Sequence, residues 1–465
     1  MDSLVIDGCA VATMDAAGAE YTRGHLVLAG GRITAAGDGP APAVPGARVV
    51  DGSGCLATPG LVNSHHHLWQ WLTRGQAQGS GLFDWLAELY PRWRHLDADL
   101  HRAAARAALA MLALSGCTAS ADHHYLFPRG PAGRSPGPAG FPRGSGDLLA
   151  AGIEAAGEIG LRFHACRGSM DLGTSAGGLP PDEVVEDTDA ALAATDEAIR
   201  RFHDPAPDAM VRVAVAPCAP FTVTGELMRA SAELARRHGV RLHTHLAETA
   251  DEHEYCQQRF GCSPAQYLES LGWLGRDVWV AHGVHLRDAE VALLARAGTG
   301  VAHCPSSNGR LGSGIAPVPE LLAAGVPVGL GVDGAAGNEH GGLAAELRQA
   351  LLMARARRGA GALTTRQVLA AATVGGARCL GRAGEIGSLE AGKLADVALW
   401  RLDGLGHAGA ADPVAALVLG PPAPLELLTV GGRPVVDGGE LVTADVAGLA
   451  HQARVAAGEL RRRCE

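Results

Sequence analysis

The 465-residue chain contains a single lysine, Lys393. Every other permanently cationic side chain is an arginine, so a mechanism that needs a lysine amine in the middle of the chain is excluded. That removes a Schiff base, and equally a carbamylated lysine bridging two metal ions. Basic charge is scarce overall. A formal net charge of -10 leaves no basic surplus to neutralise phosphates, which argues against nucleic acid and for small-molecule chemistry. Long apolar runs are missing too, and no basic segment followed by an apolar stretch opens the chain, so the sequence signals neither membrane insertion nor secretion. The 10 cysteines are scattered without CxxC spacing, as expected of reduced thiols in a cytoplasm.

What the chain does contain is apolar sequence in a regular alternation. At 47% hydrophobic and 19% charged residues it is globular, and its length favours one large domain with a smaller companion. Residues 1–58 read as short strands between glycine turns, over 4–6, 11–13, 25–28, 32–34 and 49–50. From 59 to 380, short apolar runs alternate with alanine-rich amphipathic helices. Helices over 100–115, 190–202 and 225–237 lead into runs at 118–121, 210–215 and 240–243, and further runs follow at 278–281, 300–303 and 326–332. With those at 60 and 161 they make about eight parallel strands, the number that closes a (β/α)8 TIM-like barrel. A doubly wound open sheet is the alternative, but no glycine-rich phosphate turn follows the first strand. Residues 381–465 return to strand signals, expected to complete the N-terminal sheet, and end in a helix over about 444–463. The proline- and glycine-rich stretch 128–146 reads as a mobile loop over the barrel mouth.

In a parallel barrel, function gathers where strands end. His65 and His67 end the first strand on one face, since strand side chains alternate. His243-Thr244-His245-Leu246-Ala247-Glu248 follows the run at 240–242, His282 follows 278–281, and Asp333 follows 328–332. Three imidazoles and a carboxylate, His65, His67, His245 and Asp333, make a sensible site for one divalent ion, zinc first, whose bound water is acidified toward neutrality. Glu248 stands where a proton-shuttling carboxylate belongs, and His282 remains as a base or donor. His123, His124 and His303 also end strands, but adjacent histidines face opposite ways, so at most one of the first two reaches the pocket. Cys218 and Cys304 have no base placed to activate them.

The segments Asn63-Ser64-His65-His66-His67, His243 to Glu248, Ala281-His282-Gly283-Val284-His285 and Gly331-Val332-Asp333-Gly334 together resemble the amidohydrolase superfamily, in its branch of mononuclear metal-dependent deaminases and chlorohydrolases. The stretch from Glu385 to Asp396 is similar to that family's C-terminal motif. The resemblance implies a distorted barrel with a β-sandwich formed from both termini, zinc on His65, His67, His245 and Asp333, Glu248 and His282 as acid and base, and a homo-oligomer. Finer matches, among them Leu72-Thr73-Arg74, His164 to Met170 and Ala216 to Phe221, are most similar to deaminases acting on 8-oxoguanine, a group hard to separate from hydroxytriazine aminohydrolases. Departures fall at 128–146 and at Gly283, Ser306 and Ala335.

The expected reaction is hydrolytic deamination of an aminopurine-type heterocycle, 8-oxoguanine foremost. Guanine, isoxanthopterin or a hydroxytriazine are alternative substrates, and a barrel scaffold without chemistry is the non-enzymatic alternative. Gln70 can both donate and accept, matching a lactam edge, and Arg167 can offer a planar fork to a ring carbonyl. Either can instead satisfy a neighbour: Gln70 a loop, Arg167 a carboxylate. Trp69, Trp71 and Trp85 are candidates for stacking on a flat ring, although such residues are more often core.

Overall fold

Eight short strands, all but three of their residues buried, close a parallel barrel in chain order: β1 (Leu61–Asn63), β2 (Cys117–His124), β3 (Arg162–Ser169), β4 (Val211–Pro217), β5 (Arg241–Leu246), β6 (Val278–His282), β7 (Gly300–His303) and β8 (Val328–Leu330). This is a computed structural model, and it describes residues 3–128 and 147–465. Closure rests on the pairing of Leu330 with Asn63. The Asn63 amide reinforces that short seam, accepting from Val332 N at 2.9 Å and donating to Ser120 Oγ at 3.0 Å. Helices start where the sequence offers caps: Asp97 accepts from Leu100 N to open Ala98–Leu114, and Thr224 accepts from Leu227 N to open Gly225–His238. All but Pro128 of the loop expected at 128–146 lies outside the described residues.

The two ends of the chain meet in one nine-stranded sheet. Its seam is the antiparallel pairing of Val397–Arg401 with Cys55–Pro59, the strand that runs on through Gly60 into β1. The sequence suggests separate strands over 4–6 and 11–13. Instead Leu4–Ala12 is continuous, because Gly8 takes a φ of 78° and absorbs the break as a register shift between Asp7 and Cys9.

Two contacts lock sheet to barrel. Arg162, at the start of β3, grips Asp396 with Nε–Oδ2 at 2.8 Å and Nη2–Oδ1 at 3.0 Å, both side chains buried. Trp400 lies so close over Gly116, φ 81°, that a Cβ there would come within 2.2 Å of the indole. Among the described residues no helix is long and apolar enough to cross a membrane.

Candidate metal and active site

The C-terminal ends of β1, β5, β6 and β8 bring His65, His67, His245, Glu248, His282 and Asp333 to one place, all buried. Their backbone is under strain. His282 and Asp333 adopt φ of 74° and 61°, and Ala247, before Glu248, adopts 51°, a region non-glycine residues rarely enter.

The hydrogen bonds fix which ring nitrogens carry protons. His67 Nδ1 donates to the His123 carbonyl at 2.7 Å, and His245 Nδ1 to the Cys218 carbonyl at 2.7 Å. His243 Nδ1 donates to the Trp279 carbonyl at 2.9 Å, so its Nε2 accepts from His65 Nδ1 at 2.8 Å. Burial holds all four rings neutral, His67 at about 4 and His243 at about 3, with His65 and His245 well below the usual value. The Nε2 atoms of His65, His67 and His245 are therefore bare lone pairs. That of His65 has no hydrogen-bond partner among the described residues, and those of His67 and His245 face each other at 3.1 Å. Asp333 Oδ1 lies 3.5 Å from His65 Nε2 and 3.4 Å from His67 Nε2. Despite burial, His65, His282 and His67 hold the Asp333 carboxyl well below its usual range, so the fourth group is anionic. Three buried lone pairs and a carboxylate converging without a proton among them fit a divalent cation and little else.

His123 stacks on His245 at 4.7 Å beside the same cluster, and its Nδ1 has no hydrogen-bond partner among the described residues. His124 faces the opposite side of β2, as strand alternation requires.

Around this cluster Glu248 and His282 are held by partners the sequence does not advertise. Glu252 accepts from Ala247 N and Glu248 N, each at 2.9 Å, fixing the loop that presents Glu248. Burial pushes the Glu248 carboxyl up to about 7. His282 Nδ1 donates to Asn308 Oδ1 at 2.9 Å, and its Nε2 lies 3.5 Å from Glu248 Oε2 and 4.0 Å from Asp333 Oδ2. Burial alone would lower its pKa, but the flanking carboxylates of Glu248 and Asp333 leave it raised. Ser307 Oγ donates to Asp333 Oδ2 at 2.5 Å.

A narrow cavity of about 30 Å³ opens onto these groups, walled by Leu82, Trp85, Leu86, Tyr125 and Phe221. Gln70 lines it, packed so tightly on Gly334 that a Cβ there would meet Gln70 Oε1 at 1.9 Å. Of the three tryptophans considered for stacking, Trp85 lines the cavity, Trp69 is buried against His67 and His124, and Trp71 lies under the Arg74 guanidinium. Arg167 is held elsewhere. It forms a two-pronged pair with Glu186 at 2.7 and 2.6 Å, donates to the Gly168 carbonyl and lies over Phe127. Burial raises the Cys218 and Cys304 thiols, which suits packing.

Residues 56–455 match the pattern of the amidohydrolase family. The chain is 47% identical over 440 residues to 8-oxoguanine deaminase of Pseudomonas aeruginosa, covering 94% of this chain and 95% of that one. It is 40% identical over 441 residues to an isoxanthopterin deaminase of an unknown prokaryotic organism, covering 90% and 88%. Its fold superposes on the zinc-complexed atrazine chlorohydrolase of Arthrobacter aurescens TC1 with a TM-score of 0.90, 34% identity and coverage of 98% and 100%.

Proposed function

Because the chain belongs to the amidohydrolase family and is a hydrolase of carbon–nitrogen bonds, we propose that it deaminates an aminopurine-type heterocycle, converting 8-oxoguanine to urate and ammonia. The observation that carries this reading is the identity to 8-oxoguanine deaminase, 47% over 94% of the chain. The narrow cavity supports it, since its lining combines the aromatic side chains Trp85 and Phe221 with His67, His245, Glu248, His282 and Asp333.

His65, His67, His245 and Asp333 hold one zinc ion in this reading. When bound, the ion supplies Lewis acidity that brings the pKa of a water from about 15.7 toward 7. The remaining work falls to side chains. Glu248, whose carboxyl burial pushes up to about 7, donates from its protonated form to a ring nitrogen and makes the amine-bearing carbon electrophilic. His282 and Asp333 take the proton of the attacking water, and the 3.5 Å from His282 Nε2 to Glu248 Oε2 lets that proton travel on. Glu248 or Asp333 then protonates the amine, which leaves as ammonia while the hydroxyl proton of the adduct returns to the carboxylate of Glu248, giving the oxo product. Gln70 pairs with the lactam edge, the apolar wall excludes bulk water, and Arg167, occupied by Glu186, steadies the end of β3.

A spectrophotometric comparison of guanine, 8-oxoguanine, isoxanthopterin and hydroxytriazines with the zinc enzyme tests the substrate. The highest kcat/KM is expected for 8-oxoguanine, with ammonia released. Preference for the pterin, or alkylamine release from a triazine, would overturn the purine assignment.

A further inference from the structure

We infer that the protein holds a second divalent cation, outside the catalytic centre, on His101, Asp122 and His124. Asp122 and His124 flank His123 on β2 and so face away from the catalytic cluster, toward the helix Ala98–Leu114 that carries His101. All three are buried, His101 and His124 at 0% exposure and Asp122 at 2%. Neither ring nitrogen of His101 has a hydrogen-bond partner among the described residues. His124 Nε2 donates to the Leu126 carbonyl at 2.9 Å, which leaves its Nδ1 as a bare lone pair, also unpartnered. Asp122 Oδ1 accepts from Leu68 N at 2.9 Å. No guanidinium or ammonium group among the described residues offsets its charge.

Such an arrangement is costly if left empty. Buried polar atoms almost always find partners, and a buried carboxylate needs a cation or a proton. These groups do not satisfy one another: the His101 and His124 rings are 4.5 Å apart, and the three donor atoms lie within 4.8 Å of each other without bonding directly. One ion at about 2.0–2.2 Å from each donor closes the gap after small side-chain shifts. The surrounding bonds have the pattern found behind metal ligands, an imidazole N–H given to a carbonyl and a carboxylate oxygen held by a backbone N–H. Two imidazoles and one carboxylate select zinc or a similar borderline ion. None of the three lines the catalytic cavity, so the ion is structural and ties the helix to β2.

The test uses the full chain as purified. Crystals of the wild type are measured on both sides of the zinc absorption edge, and metal content is determined for the wild type, His101→Ala and Asp122→Asn after gel filtration. The inference expects an edge-dependent peak among the three side chains, with about two equivalents of metal per chain falling to about one in each variant. Water-like density without an edge signal among the three side chains, or undiminished metal in both variants, would overturn it. Should the variants fail to fold, the wild-type map decides alone. The peak at His65, His67 and His245 is read separately in that map, so the catalytic reading stands or falls by itself.

Discussion

The Nε2 atoms of His67 and His245 point at one another across 3.1 Å, and neither has a proton to give, because each ring has committed its Nδ1 proton to a carbonyl. Two lone pairs at that range repel unless a cation stands between them. A chelator should therefore both abolish activity and weaken the fold. A ligand held at about 1,000 times its Kd contributes about 4 kcal/mol. The thermal midpoint is expected to fall on chelation and recover with added zinc; an unchanged midpoint would count against metal at this site.

Glu248→Gln keeps the shape and removes the proton. Turnover is expected to drop by about 10²–10⁴-fold with the metal content unchanged. The carboxyl titrates at about 7, so a donor role requires kcat/KM to fall as pH rises through that value. That limb should vanish from the residual activity of the variant. The same shift has a stability consequence of fixed sign: a carboxyl whose folded pKa lies above its unfolded value makes the protein lose stability as pH rises between the two, here from 4.5 to about 7.

His243 acts through His65. Its Nε2 accepts the His65 Nδ1 proton at 2.8 Å and thereby fixes which nitrogen of His65 is bare. His243→Phe is expected to weaken zinc binding about 10–100-fold. Competition with a chromophoric chelator measures this, and wild-type affinity in a folded variant would refute the role.

Arg162→Met strands the Asp396 carboxylate between barrel and sheet. Breaking one half of a buried ion pair costs about 3–5 kcal/mol. Urea unfolding should report a loss of that size, and a loss below 1 kcal/mol would mean that solvent reaches the pair.

The barrel and the cluster at its mouth are legible in the sequence for one reason: parallel strands bury both faces, so a polar residue ending an apolar run, such as His282 or Asp333, stands out against its neighbours. Supporting residues lack that contrast. Glu252 sits in the first turn of a helix, where acidic residues are ordinary, and only the fold shows its carboxylate gripping the backbone of Ala247 and Glu248. Ser307 and Asn308 look like a polar turn until they are seen on Asp333 and His282. Arg167 presents the reverse case, a strand-end cation whose partner, Glu186, lies 19 residues away and is invisible to local pattern.

Ala247, His282 and Asp333 hold left-handed backbone around the cluster, each a conformation that costs about 1–3 kcal/mol. Glycine would relax Asp333 while deleting its carboxylate. Selection for heat tolerance alone should thus drift toward inert variants at this position, since hardening the molecule and silencing it follow from the same exchange.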